Sequence, residues 1–138
     1  MVLSVFCDGG ARGNPGPSAI GVVIKDDKGN LVHEFGKNIG EGTNNVAEYT
    51  AVVEALTWIN ENKSSKHLSI SFFLDSELVV SQLTGIYRVK NSRLRELLML
   101  VREKEGEFGG NISYMHIPRE RNTEADRMVN EALDGIML

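Results

Sequence analysis

Cysteine occurs once in 138 residues, as Cys7. An internal disulfide is excluded, and the thiol lies inside an apolar run, the surroundings of a small buried hydrophobe rather than of a reactive thiolate. Three prolines and one tryptophan leave no Pro-rich linker, and neither repeats nor low-complexity segments divide the chain. No apolar run approaches the ~20 residues that cross a bilayer, and Met1–Cys7 lacks the basic flank and small-residue cleavage site of an export signal. These absences predict an intracellular, cytoplasmic protein without a membrane partner; a monomer is the expectation, although nothing in the sequence fixes the oligomeric state. Excess positive charge is missing too: the formal net charge is −4, which argues against tight non-specific binding to polyphosphate. The balance is a sum, however. A protein that gathers acids around cations can be acidic overall while its substrate groove stays neutral or basic.

What is present is ordinary globular composition, 41% apolar and 25% charged, at the size of one compact domain spanning 1–138. Val2–Asp8 is β-like. Ser18–Asp26 and Leu31–Gly40 form a hairpin around Asp27-Lys28-Gly29-Asn30, and His67–Asp75 and Asn111–Ile117 supply two further strands. Gly9–Pro17 reads as a shaped turn. Apolar steps of three and four mark an amphipathic helix at Val46, Tyr49, Val53, Leu56 and Ile59, after Thr43-Asn44-Asn45 where a cap belongs. A short helix runs from Ser76 to Thr84, and another carries Leu94, Leu97, Leu98 and Val101. A last helix from about Thr123 has its stripe on Ala125, Met128, Val129, Ala132, Leu133 and Ile136. The order β-β-β-α-β-α-α-β-α predicts an α/β fold: a mixed five-stranded sheet flanked by helices on both faces.

Two strands share one pattern: Ser4-Val5-Phe6-Cys7-Asp8 and Ser71-Phe72-Phe73-Leu74-Asp75 both read Ser-x-Phe-x-Asp. Alternation puts Ser, Phe and Asp on one side of each strand, with the Asp at its carboxyl end. As parallel neighbours ~4.8 Å apart, the strands would aim Asp8 and Asp75 at the crevice where α/β sheets bind ligands. Glu48 comes in the first turns of one helix and Asp126 in the first turn of the last. Each acid alone has a structural explanation: Asp8 as a turn residue before Gly9-Gly10, Glu48 and Asp126 as dipole partners at helix N-termini, Asp75 as a helix cap. Together they form a costly like-charge cluster unless a cation neutralises it. Oxygen ligands without histidine or cysteine select Mg²⁺, with Mn²⁺ as substitute, over zinc.

The sequence at this point resembles type 1 ribonuclease H over nearly its whole length. The matching segments are Asp8-Gly9-Gly10 with Gly13-Asn14-Pro15-Gly16-Pro17, Thr43-Asn44-Asn45-x-Ala47-Glu48, Leu74-Asp75-Ser76-x-x-Val79, and Asn122-x-x-Ala125-Asp126. The resemblance implies the ribonuclease H-like fold, and a metal-binding and catalytic set of Asp8, Glu48, Asp75 and Asp126. It also implies two-metal hydrolysis of the RNA strand of an RNA–DNA hybrid, leaving 5′-phosphate and 3′-hydroxyl ends: one ion activates water, the other stabilises the leaving 3′ oxygen. Gly9 and Gly10 would let backbone approach the RNA strand. Asn14, Asn44, Asn45 and Ser76 resemble the family's minor-groove contacts to 2′-hydroxyls, with Gln82 a further candidate. Each of these polar residues equally suits a cap or a turn.

Two departures from the family pattern matter. Many members carry an added basic helix and loop that grips the hybrid, whereas only Gly85–Asn91 lies between the short helix and Ser92. Arg88 and Lys90 are the expected contacts to DNA phosphates there, with solvated surface charge the alternative. Many relatives also place a mobile histidine in the loop before the last acid, and Ile117–Asn122 contains none. Arg119 is the expected electrostatic helper and Glu120 the second candidate; His116, at the end of a strand, reads as structural. The rival functions are a non-catalytic hybrid-binding module, another nuclease or strand transferase of the ribonuclease H-like superfamily, and a small Mg²⁺-dependent phosphatase. Four acids disfavour the first, the Thr43–Glu48 motif and the chain's length the second, and the Asn14/Asn44/Asn45 group the third.

Overall fold

The computed structural model describes residues 2–63, 68–109 and 111–135. Its elements are β1 (Val2–Ala11), β2 (Gly16–Lys25), β3 (Leu31–Gly42), α1 (Asn44–Asn62), β4 (Ser69–Leu74), α2 (Glu77–Leu83), α3 (Ser92–Phe108), β5 (Asn111–His116), a single 3₁₀ turn (Arg119–Arg121) and α4 (Thr123–Leu133). The five strands form one sheet in the order β3-β2-β1-β4-β5. β1, β2 and β3 make the antiparallel meander, and β4 and β5 join in parallel. The expected α/β arrangement is therefore present, with helices on both faces. The expected start of the fourth strand at His67 and the stripe residue Ile136 fall outside the described residues.

The shared Ser-x-Phe-x-Asp pattern is realised in register. Ser4 pairs with Ser71 and Phe6 with Phe73 across β1 and β4, and the two phenylalanine rings stack with centroids 5.0 Å apart. Phe6 packs with Val23, Ala125 and Met128 beneath α4. The alternate residues Val5, Cys7, Phe72 and Leu74 enter the larger core shared with α1, α2 and α3. That core buries the apolar stripes of three helices, whereas α4 covers the other face alone with Ala125, Met128, Val129 and Ala132.

β1 differs from the expectation. The Gly9–Pro17 segment is not all turn, because Gly9, Gly10 and Ala11 continue the strand and pair with Ile20, Ala19 and Ser18. Asp8 is thus three residues short of its strand's end. It stands where β4, which pairs with β1 only as far as Phe6 and Phe73, has stopped. Close packing explains the glycine: a Cβ on Gly9 would lie 2.3 Å from the backbone of Ala47 in α1. On the opposite face, a Cβ on Gly21 would lie 2.2 Å from the carbonyl oxygen of Ala125 in α4. Both helices therefore rest directly on strand backbone, one on each side of the sheet.

Helix starts follow local hydrogen bonding. Thr43 Oγ1 accepts from Val46 N–H at 3.2 Å, Ser76 Oγ from Val79 N–H at 3.3 Å, and Asn91 Oδ1 from Leu94 N–H at 3.0 Å, each satisfying an orphan donor of the first turn. Ser76, not Asp75, therefore caps α2, which leaves the Asp75 carboxylate for other work. α3 ends at Gly109, whose left-handed φ of 71° suits its cap position.

Candidate active site

Asp8 comes from the middle sheet strand, Glu48 from the second turn of α1, and Asp75 from the residue after β4. Each offers a carboxylate oxygen, and those oxygens lie within 4.8 Å of one another. Asp126, in the first turn of α4, stands close enough to Asp8 to help raise its carboxyl. All four acids line one cavity of about 480 Å³. Four elements that are distant in sequence thus deliver acids to one place, as the alternation and helix positions predict.

The acids are mutually destabilised as anions. Burial is the largest cause lifting the Asp8 carboxyl from 3.8 to about 7, reinforced by the neighbouring Asp75 charge. Burial likewise pushes Glu48 well above the usual carboxylate range, followed by the charges of Asp8 and Asp75, and a bond from the Gly9 N–H opposes the shift. Glu48 Oε2 is buried without a hydrogen-bond partner. A buried carboxylate oxygen with no donor and three acids in contact is costly in a protein that leaves them alone. A hard divalent cation satisfies both deficits, and the all-oxygen donor set fits Mg²⁺ or Mn²⁺.

The remaining predicted residues separate into three groups. Gly9, Gly10, Asn44, Asn45, Ser76 and Arg119 line the carboxylate cavity. Arg119 is 80% exposed and its guanidinium stands 3.7 Å from Asp126 Oδ1, an open ion pair with donors left over. Asn14 lies just beyond, in an adjoining cavity of about 550 Å³ that Asn45 also lines. Its Oδ1 accepts from Asn44 N–H at 3.0 Å, while Asn44 Oδ1 accepts from Ala11 N–H at 2.8 Å. Both asparagines therefore brace the β1–β2 loop against the start of α1, and the brace sets the loop's height over the acids.

Gln82, Arg88 and Lys90 are not among the residues lining the carboxylate cavity. Gln82 is 8% exposed, and its Oε1 accepts from the Tyr49 hydroxyl at 2.7 Å within the core; this placement replaces the expected substrate contact with a structural one. Its position on the inner face of a seven-residue helix is what the short periodic stretch left open. Arg88 and Lys90 are exposed on the loop between α2 and α3. His116 pairs in register with Leu74. It takes the face of Ile112 and Tyr114 rather than the face of Phe73 and Phe6, but at the strand's end it is exposed, so core packing does not give it the structural role expected. Glu120 is exposed in the 3₁₀ turn and is not among the residues lining the cavity.

Three polar residues in or beside the cavity were given no site role by the sequence. Arg12 lines the cavity from the β1–β2 loop and pairs with Asp134 at the end of α4. Asn130 lines it one helical turn after Asp126 and donates to Asp126 Oδ2 at 3.4 Å. Its i+4 spacing from a predicted ligand was a usable signal. Asn122, beside the cavity, is 1% exposed and donates to both Cys7 O and Asp75 Oδ2. No sequence pattern reports such a long-range bond.

The comparisons with known proteins agree with this geometry. The family model described as "Reverse transcriptase-like" matches residues 6–132. The Ribonuclease HI of Halobacterium salinarum is 40% identical over 132 residues, covering 96% of this chain and 64% of that protein. The Bifunctional protein Rv2228c of Mycobacterium tuberculosis is 36% identical over 98% of this chain. The chain spans only 36% of that relative's length. Among solved structures, LC11-RNase H1, isolated from compost, superposes with a TM-score of 0.92 at 45% identity, covering 97% of this chain and 98% of that one, in a crystal structure in complex with an RNA/DNA hybrid. The fold and the clustered acids define a ribonuclease H-like protein. The chain belongs to the reverse transcriptase-like family and, within it, to the type 1 ribonucleases H.

Proposed function

We infer that this protein is an endoribonuclease that hydrolyses the RNA strand of RNA–DNA hybrids, leaving 5′-phosphate and 3′-hydroxyl ends. The observation that carries the reading is the convergence of Asp8, Glu48 and Asp75 with a donorless buried oxygen on Glu48, in a chain 45% identical to a protein crystallised with an RNA/DNA hybrid. Asp8, Glu48, Asp75 and Asp126 would hold two Mg²⁺ ions, or Mn²⁺ in their place. Bound there, the ions supply an activated water and neutralise charge on the leaving oxygen. The chain's own residues do the rest. The strand backbone at Gly10 admits the sugar-phosphate chain, Gly9 contributes only its main chain because α1 covers its other side, and Asn44, Asn45 and Ser76 offer polar contacts to the 2′-hydroxyls that distinguish RNA from DNA. Arg119 and Arg12 supply fixed positive charge at the cavity for phosphate oxygens.

The adjoining cavity lies between the starts of α1 and α3 and is lined by Thr43, Asn14, Asn91 and Arg93. Two helix N-termini and an arginine favour an anion, which suits a phosphate of the DNA strand. Arg88 and Lys90, exposed on the neighbouring loop, would extend that contact. No helix among the described residues is long and apolar enough to cross a membrane. Action as a single-domain monomer in the cytoplasm is consistent with this reading.

A labelled RNA–DNA hybrid tests it. With Mg²⁺ or Mn²⁺ the RNA strand should be cut internally and the DNA strand left whole, and excess EDTA should stop the reaction. Binding of the hybrid without cleavage under either ion would instead support a non-catalytic binding module.

A further inference from the structure

Asn122 occupies the N-cap position of α4, yet its side chain makes no capping hydrogen bond. Asparagine is among the preferred capping residues, so the diversion needs a reason. The amide is turned into the protein, where it is almost fully buried, and both its hydrogens are used toward the acid cluster. One contact is from Nδ2 to Cys7 O at 2.8 Å, the other from Nδ2 to Asp75 Oδ2 at 3.3 Å. Its Oδ1 is buried with no partner, a penalty that a residue serving only to start a helix would avoid by facing solvent.

The position explains the diversion. The ladder between β1 and β4 ends at Phe6 and Phe73, and the Leu74 carbonyl goes to Ile117 N–H on the other side. Beyond that point no strand pairing fixes Asp8 relative to Asp75, although their charges repel. The Asn122 amide spans the opening from the carbonyl next to Asp8 to the carboxylate of Asp75. Its own carbonyl accepts from Asp126 N–H at 3.0 Å in the first turn of α4. One residue thereby touches the segments carrying three of the four acids.

The geometry points to Asn122 as the positioning residue of this site: its amide replaces the missing strand pairing, orients Asp75 and holds Asp8, Asp75 and Asp126 at the separation a divalent cation requires. The inference rests on the metal-binding reading of the site. A side chain that orients a ligand in this way characteristically controls metal affinity rather than substrate affinity.

Calorimetric titration with Mg²⁺, without substrate, should show Asn122→Ala binding about 10- to 100-fold more weakly than the native protein, the range for groups that orient metal ligands. Asn122→Ser should lose the same affinity, although serine restores a good helix cap. At saturating Mg²⁺, KM for the hybrid should change little in either variant. A role confined to starting α4 predicts the reverse: lowered Tm in Asn122→Ala, full recovery in Asn122→Ser, and unchanged Mg²⁺ affinity in both. That pattern would overturn the assignment. The native protein gives an answer even if the variants fail to fold. In its ¹⁵N NMR spectrum the Asn122 side-chain amide should exchange slowly and shift on Mg²⁺ titration together with the Gly9 backbone amide. A Gly9 shift with an unmoved Asn122 amide removes Asn122 from the site. If neither signal moves, the metal-binding reading itself fails.

Discussion

At the scale of single residues, the acids differ in what their environments ask of them. Asp75 contributes charge to a crowded cluster, and replacing it by the near-isosteric asparagine removes a ligand charge with little change of shape. Asp75→Asn should therefore abolish Mg²⁺-dependent cleavage of a hybrid, while Tm in EDTA stays level or rises because repulsion is relieved. Cleavage near the native level at saturating Mg²⁺ would take Asp75 out of the site. Arg119 poses a different question, since it is highly exposed but stands over Asp126 at the cavity. Arg119→Ala should lower kcat by about 10- to 100-fold, the loss of one charge-assisted contact of ~1.5–3 kcal/mol, with Mg²⁺ affinity little altered. His116→Ala should be nearly silent, because its strand register turns it toward the face of Tyr114. If single-turnover rates show the opposite ranking, the strand-end histidine carries the electrostatic role.

At the scale of elements, the site depends on how closely α1 rests on β1. Glu48 reaches Asp8 because Ala47, its neighbour on the helix, lies directly over Gly9. Any side chain there must lift the helix. Gly9→Ala has no flexible neighbour to displace, since the atoms within 2.5 Å of the added Cβ belong to the Ala47–Glu48 peptide backbone. Destabilisation of about 1–3 kcal/mol or more is expected for such overpacking, read as a fall in the denaturant midpoint. Residual cleavage should fall further than stability alone explains, because Glu48 moves with the helix. An alanine variant with native Tm and native activity would show that α1 does not rest on Gly9 in solution.

For the whole molecule, the acid cluster couples folding to pH. Asp8 retains its proton to about pH 7 in the folded protein, against 3.8 for the ordinary group, and Glu48 shifts in the same direction. Between those two values the folded state binds more protons than the unfolded chain, so stability falls as pH rises through that window. In EDTA, Tm should accordingly drop from about pH 4 toward pH 7, and Asp8→Asn should flatten the decline. Mg²⁺ binds the deprotonated acids, so its stabilising effect should grow over the same range, with proton release measurable by calorimetry in buffers of different ionisation enthalpy. A Tm in EDTA that climbs steadily from pH 4 to pH 8, alike in both proteins, would contradict the shift.

The chain's own pattern placed Asp8 and Asp75 on the same side of their strands and Glu48 and Asp126 early in their helices, because alternation and helical spacing are local properties that a strand or helix keeps wherever it packs. The paired Ser-x-Phe-x-Asp runs carried even the register of β1 against β4, through the shared phenylalanines. Tertiary structure alone decided the rest. That β1 runs on through Gly9 and Gly10 depends on β2 pairing with them and on α1 lying over Gly9, neither of which shows in a glycine-rich stretch. Gln82 bonds the Tyr49 hydroxyl, Asn14 braces Asn44, and Asn122 spans the gap between β1 and β4. Each is a hydrogen bond between residues 30 or more positions apart. A polar side chain in the sequence states only what it can donate or accept, and the partner it finds is set when distant elements are brought together.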